Sequence, residues 1–192
     1  MQERSLLQLF VGNWNTKTIV AVAVGAALFG VLMVFASWPI FVNTMLTAAM
    51  IVPVVVGGLF GPLAAFATMA LGNIVADLVG GWGMWFNWSI GNGVLGLFIG
   101  ALPLYGARID EGIFKIKHAI IYVILVVIGN IIAFGVVTPI FTTLFYGDTF
   151  ELSLMQGVFA MTGNSIILCV VGIPILFAMT RRYKSRSNLR HE

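Results

Sequence analysis

Hydrophobic residues run through this chain in six long blocks, at residues 18–36, 45–60, 62–79, 89–104, 118–138 and 155–179. Short stretches rich in glycine, proline, tryptophan or charge separate them. A hydrocarbon core of roughly 30 Å takes about 20 helical residues at 1.5 Å each. Each block therefore reads as a transmembrane helix, and the whole as an all-α bundle of six spans in a single domain over residues 1–192. The second and fourth blocks are short, so they tilt, thin the bilayer, or turn irregular where protein surrounds them. Pro53 inside the second block predicts a kink. Gly57-Gly58-Leu59-Phe60-Gly61-Pro62 predicts a very tight turn, making spans two and three a close hairpin. The opposite connections are Ser37–Thr44, Gly80–Trp88 and Pro139–Leu154.

Composition agrees. With 60% hydrophobic and 9% charged residues, the chain lacks the polar surface to cover a water-soluble globule of its 192 residues. The first block follows a polar stretch and is long enough to span, so it reads as a retained helix rather than a cleavable signal. All ten Lys and Arg residues fall on one side of the six-span scheme: Arg4 and Lys17; Arg108, Lys115 and Lys117; and Arg181, Arg182, Lys184, Arg186 and Arg190. The positive-inside rule makes that side, with both termini, cytoplasmic. The expected location is a cell membrane, multi-pass, of prokaryotic type. The net charge of +3 comes from short juxtamembrane segments suited to anionic lipid headgroups, with no basic domain to hold nucleic acid.

Few residues offer covalent chemistry. Cys169 is alone in an apolar run and reads as a packing residue; His118 and His191 are far apart, with no carboxylate or cysteine at ligand spacing. No metal, cofactor or catalytic dyad is expected. Gly12-Asn13-Trp14-Asn15-Thr16-Lys17-Thr18 lacks the glycine before the lysine of a phosphate loop and follows no strand. Any ATP-driven step therefore needs a partner.

Polar residues inside the spans carry more information, because hydrocarbon penalises them unless they pair or face a cavity. Gly72-Asn73, Gly91-Asn92, Gly129-Asn130 and Gly163-Asn164 place one Gly-Asn pair in each of the last four spans, and Asp77 shares a helical face with Asn73. Two readings stand: each asparagine bonds a neighbouring helix, or the set converges on a polar pocket open to the exterior. Trp38, Trp82, Trp85 and Trp88 map to the external end, leaving only Trp14 inside. A headgroup belt accounts for one or two of these; three within seven residues, beside Asn87, suit a mobile lid over a flat or bulky ligand. Asn43 and Tyr146 in the external connections complete the expected ligand-binding set. On the first span, Ala21 with Gly25, Ala23 with Ala27 and Ala26 with Gly30 form small-residue pairs that admit a close helix, from this chain or another subunit.

Together these features resemble the substrate-binding S components of energy-coupling factor (ECF) vitamin transporters, over essentially the whole chain. Val24-Gly25-Ala26-Ala27-Leu28-Phe29, Phe60-Gly61-Pro62-Leu63-Ala64 and Gly93-Val94-Leu95-Gly96-Leu97-Phe98-Ile99-Gly100 look like the riboflavin-type/cobalamin-type branch. The resemblance implies capture of a vitamin from outside, by a subunit without its own ATPase, and delivery by toppling in the bilayer. It also implies docking through Ala23 and Ala27, with Gly30 widening the surface, on a transmembrane coupling subunit bound to two cytoplasmic ATPases. Tryptophans and amides without an intramembrane Lys or Arg favour a planar or bulky heterocycle over an anionic vitamin: riboflavin, cobalamin, or a pyrimidine or pyridine precursor. A self-sufficient ion-coupled secondary transporter is the alternative, with Asp77 its acidic candidate; a structural membrane protein without a small ligand is another.

Overall fold

A computed structural model describes residues 5–188; Arg4, Arg190 and His191 lie outside the described residues. Five helical stretches are long and apolar enough to cross a membrane: Thr16–Phe35, Pro62–Gly80, Phe86–Tyr105, Ile116–Tyr146 and Phe150–Ser185; the apolar helix Ala48–Phe60 is shorter. The result is an all-α membrane bundle. Ile19, Val24, Leu28, Ile120, Ile124, Ile166 and Val170 are exposed on it, an apolar coat suited to lipid rather than water.

The chain opens with α1 (Leu6–Val11), started by a reciprocal Ser5–Gln8 capping box. Asn15 caps α2 (Thr16–Phe35), whose 20 residues rise about 30 Å. The Ser37–Thr44 connection proves to be part of a β-hairpin, β1 (Ser37–Phe41) pairing antiparallel with β2 (Thr44–Thr47). The second span is then completed by a 3₁₀ turn at Ala48–Met50 and α3 (Ile51–Phe60). Pro53, expected to kink that span, stands instead in the first turn of α3, where an α-helix has no use for its missing N–H.

Gly61 alone links α3 to α4 (Pro62–Gly80), at φ 90°, a conformation that glycine adopts without Cβ strain, and Pro62 starts α4 with its φ already helical. The expected tight turn is thus one residue long, with Gly57 and Gly58 inside α3. Helix α4 lies between α2 and α5 (Phe86–Ile99). Gly25, Ala26, Phe29 and Gly30 are the buried side of α2. This corrects the expected docking surface: a Cβ on Gly30 would stand 2.7 Å from Val75 Cβ in α4, so Gly30 packs within the chain, while Ala23 and Ala27 remain exposed.

The largest departure from the hydropathy reading is at Pro139. The fifth span was expected to stop at 138; instead α6 (Ile116–Asn130) passes through a π-helical stretch, Ile131–Val137, into α7 (Thr138–Tyr146), leaving a connection of only Gly147 to Thr149 before α8 (Phe150–Ile167). In an α-helix a proline ring clashes with the carbonyl four residues back. The wider winding just before Pro139, with Thr138 N–H reaching Ala133 O, relieves that clash and carries the helix on. In i→i+5 winding the donor for Phe134 O would be Pro139, which has none. Gly157 of α8 packs so closely there that a Cβ would overlap that oxygen. A second π-helical stretch, Leu168–Gly172, leads into α9 (Ile173–Asn188).

The path sets two ends. Lys17, Arg108, Lys115, Lys117, Arg181, Arg182 and Lys184 all stand at the end where α2 begins, α5 finishes, α6 begins and α9 finishes. The hairpin, the tryptophan connection and the Gly147–Thr149 turn gather at the other, with Asp148.

Gly157→Val is expected to cost about 1–3 kcal/mol by overpacking α8 against the π-helical stretch, seen as a lower thermal unfolding midpoint of the purified protein in detergent. Ala160→Gly, which adds no atom, is the control for helix loosening at the neighbouring turn. An unchanged midpoint for Gly157→Val contradicts the close contact.

Candidate functional site

Helices α2, α4, α5 and α8, the long helix through α7, the hairpin and two connections surround a cavity of about 270 Å³ at the end opposite the basic residues. Regular helical spacing supplies most of its walls. Helix α8 contributes Gln156, Ala160 and Asn164, four residues apart and so on one face. Asp77 comes from α4, Trp88 and Asn92 from α5, Phe134 and Thr142 from the long helix through α7. The hairpin and the turn after it add Asn43, Thr44, Met45, Thr47 and Met50; Met33 comes from α2 and Asp148 from the Gly147–Thr149 turn. Trp82 and Trp85 close the side next to α4.

The polar wall is a ladder of side-chain bonds. Asn92 Nδ2 donates to Trp88 O (3.1 Å) and to Asn73 Oδ1 (2.9 Å). Asn73 Nδ2 donates onward to Ser89 Oγ (3.2 Å) and Asp77 Oδ2 (3.3 Å). Asp77 Oδ2 also accepts the Trp85 backbone N–H at 2.9 Å. Asn73 is fully buried, and Asp77 and Asn92 are 4% and 2% exposed, so these bonds satisfy groups that hydrocarbon would penalise. They also tie α4, α5 and the tryptophan connection together.

The aromatic side is held as firmly. The tryptophan connection was expected as a mobile lid, yet Tyr146 Oη donates to Met84 O (2.8 Å) and accepts Phe86 N–H (3.0 Å). The Tyr146 ring stacks on Trp85 with centroids 4.6 Å apart, and Trp85 Nε1 donates to Trp82 O at 2.9 Å. Trp88 lies 5.6 Å from Phe134. Across the cavity the hairpin is joined to α8 by the Phe41–Phe159 stack at 4.5 Å and by Gln156 Nε2 donating to Val42 O at 3.2 Å.

Of the residues expected from sequence, Asn43, Asp77, Trp82, Trp85, Trp88, Asn92 and Asn164 stand around the cavity. The other five do not. Asn73 and Asn87 are fully buried behind it, Asn87 Nδ2 donating to Thr142 Oγ1. Asn130 is buried in α6 and donates to Val126 O one turn back. Tyr146 supports Trp85 from behind, on a helix rather than in the loop to which it was assigned. Trp38 is 61% exposed on the hairpin, as a headgroup belt residue would be. Trp88 and Asn87 also sit on α5, not in the connection. The four Gly-Asn pairs therefore combine both readings: each glycine admits a neighbour (Phe29 at Gly72, Thr138 at Gly91, Phe98 at Gly129, Leu46 at Gly163), while two asparagines reach the cavity and two do not.

Sequence reasoning missed Gln156, which the spacing to Asn164 could have revealed, and Thr142, hidden by the assumed break at Pro139. The methionines and hairpin threonines carried no such signal.

The family described as "ECF-type riboflavin transporter, S component" matches residues 13–181. A UPF0397 protein of Aliivibrio fischeri strain MJ11 is 36% identical over 180 residues, 92% of this chain and 97% of its own. One from Vibrio vulnificus strain YJ016 is 37% identical over 180 residues, 92% and 98% respectively. Among solved structures, "Crystal structure of FolT bound with folic acid" aligns with a TM-score of 0.59 at 20% identity, covering 84% of this chain and 98% of that one.

Tyr146→Phe removes both backbone bonds to the tryptophan connection while keeping the ring stack. Amide hydrogen exchange at Phe86 should rise about tenfold, the loss of roughly 1.4 kcal/mol of protection; unchanged exchange there refutes the anchoring role.

Proposed function

Because this chain belongs to the family of ECF-type riboflavin transporter S components, we propose that it captures a vitamin-like heterocycle from outside the cell and hands it to an ATP-driven coupling module. The observation that carries this reading is the cavity itself: a chamber lined by tryptophans, amides and two carboxylates, at the end of the bundle farthest from every described Lys and Arg. The positive-inside rule puts the basic end in the cytoplasm of a prokaryotic cell and the cavity mouth outside.

The cavity lining includes no Lys or Arg, so an anionic vitamin would meet two carboxylates, Asp77 and Asp148, and no cation. At about 270 Å³ the chamber is near the small end of the roughly 300–1,000 Å³ usual for ligand pockets. Both facts favour a compact heterocycle of the riboflavin or pyrimidine and pyridine precursor kind over cobalamin. Trp85, Trp88 and Phe134 supply faces for stacking, and Asn92, Asn164 and Gln156 supply polar groups that fix orientation.

Energy coupling is assigned to the other face. Ala23 and Ala27 remain exposed on α2 beside Val20, Val24 and Leu28. They form a shallow apolar strip on which a helix of a transmembrane coupling subunit packs, that subunit being bound to two cytoplasmic ATPases. Delivery by toppling requires Asp77, Asp148 and Glu151 to enter the membrane region. One oxygen of Asp77, Oδ2, already meets that requirement through its bonds to Asn73 and Trp85.

Native mass spectrometry of the protein purified from cells grown in rich medium should reveal one retained small molecule at near-stoichiometric level. Trp85→Ala or Asn164→Ala should weaken its binding tenfold or more with the fold intact. Ala23→Leu or Ala27→Leu should abolish capture of the coupling subunit while leaving that binding unchanged. No retained molecule, or ion-driven uptake by the isolated protein in liposomes, overturns the reading.

A further inference from the structure

Resting on the S-component reading, we infer that the ligand presents N–H donors to the α4/α5 wall, so that it is an amino- or amidine-bearing heteroaromatic, neutral or cationic. The argument is one of hydrogen-bond capacity. The amide orientations are fixed at both ends of the ladder by backbone groups of unambiguous polarity. Trp88 O can only accept, so the Asn92 atom facing it is Nδ2; Trp85 N–H can only donate, so it meets a carboxylate oxygen of Asp77.

A side-chain amide nitrogen has two hydrogens. Both on Asn92 are spent, on Trp88 O and Asn73 Oδ1. Both on Asn73 are spent too, on Asp77 Oδ2 and Ser89 Oγ. What this ladder leaves at the cavity is acceptor capacity alone; the indole N–H groups of Trp82 and Trp88, which make no hydrogen bond among the described residues, stand outside it. Asn92 Oδ1 is buried without a partner on a residue 2% exposed that lines the chamber. Asp77 Oδ1 makes no hydrogen bond among the described residues. A ligand edge of carbonyl or ether oxygens would face these acceptors with nothing between them, at about 1–3 kcal/mol for each buried group left unsatisfied. An edge of amino or ring N–H groups satisfies Asp77 Oδ1 directly, and Asn92 Oδ1 once a small shift of the wall uncovers that buried atom. Trp85 and Trp88 beside the carboxylate also tolerate positive charge, since an indole face attracts a cation. On the far wall Gln156 and Asn164 keep amide oxygens to accept with and nitrogens to donate with, so selection against acceptors comes from the α4/α5 side and from the Asp148 carboxylate.

The test compares probes of one shape and opposite polarity on the full chain in nanodiscs, read by quenching of tryptophan fluorescence. 2,4-Diaminopyrimidine presents donors at both ring substituents; 2,4-dimethoxypyrimidine presents acceptors only. The diamino probe should bind at least tenfold tighter, and Asp77→Asn should cut the ratio of the two affinities about tenfold. Asn92→Leu tests the second acceptor: it should lower the diamino affinity more than the dimethoxy one, narrowing the preference. N-Methylpyridinium, cationic but without a donor, should bind more weakly than the diamino probe. Equal or reversed affinities for the two pyrimidines overturn the inference. So does failure of both to bind a protein that retains a co-purified molecule, which leaves the S-component reading standing. Failure of both with no co-purified molecule overturns the two together.

Discussion

The pair of hydrogen bonds that Asp77 accepts from the backbone N–H of Trp85 and from Asn73 is the interaction on which the cavity end of the molecule depends. In a hydrocarbon setting no water satisfies a polar group, so a carboxylate near the end of a span must find donors within the protein. Asp77 finds one on the neighbouring side chain and one on the connection that follows its helix. That second bond sets where the chain after α4 lies, and thereby where Trp85, Trp88 and the start of α5 are held. The ladder continues through Asn73 to Asn92, so α4 and α5 are joined along the cavity by directional bonds as well as by packing.

The same constraint shapes the two sides of the cavity differently. On the α4/α5 side, amide donors are consumed internally and the tryptophan connection is clasped by Tyr146. On the α8 side, the hairpin is held by the Phe41–Phe159 stack, the Gln156 bond to Val42 O, and Leu46 and Ile40 packed at Gly163.

Close helix contact makes this arrangement possible. The π-helical stretch before Pro139 turns Phe134 into the cavity and leaves its carbonyl against Gly157. It also carries Thr142 and Tyr146 onward on the same helix, so one local change in winding both lines the chamber and braces the connection opposite. At the other end of the bundle, small residues serve a different purpose: Gly25 and Gly30 seat α2 on α4, whereas Ala23 and Ala27 point away from it and leave a free strip.

The six-block hydropathy pattern and the one-sided Lys and Arg residues were legible without coordinates because bilayer thickness imposes span length and charge resists burial. The membrane-bundle architecture and the separation of a basic end from a tryptophan-rich end follow from them. So does the importance of the Gly-Asn pairs, since amides in hydrocarbon are costly anywhere. What composition cannot contain is the rotation of each helix about its axis, which packing against neighbours decides. That rotation put Asn92 and Asn164 at the cavity but Asn73 and Asn130 behind it, and turned Gly30 inward while leaving Ala23 and Ala27 outside. Nor can a hydropathy reading foresee that a wider helical turn carries the fifth span through Pro139, because the clash a proline creates is relieved by winding of neighbouring backbone. Tertiary structure alone decided which polar atoms had already spent their hydrogens on one another, for that depends on distances between helices, and so which were left to meet a ligand.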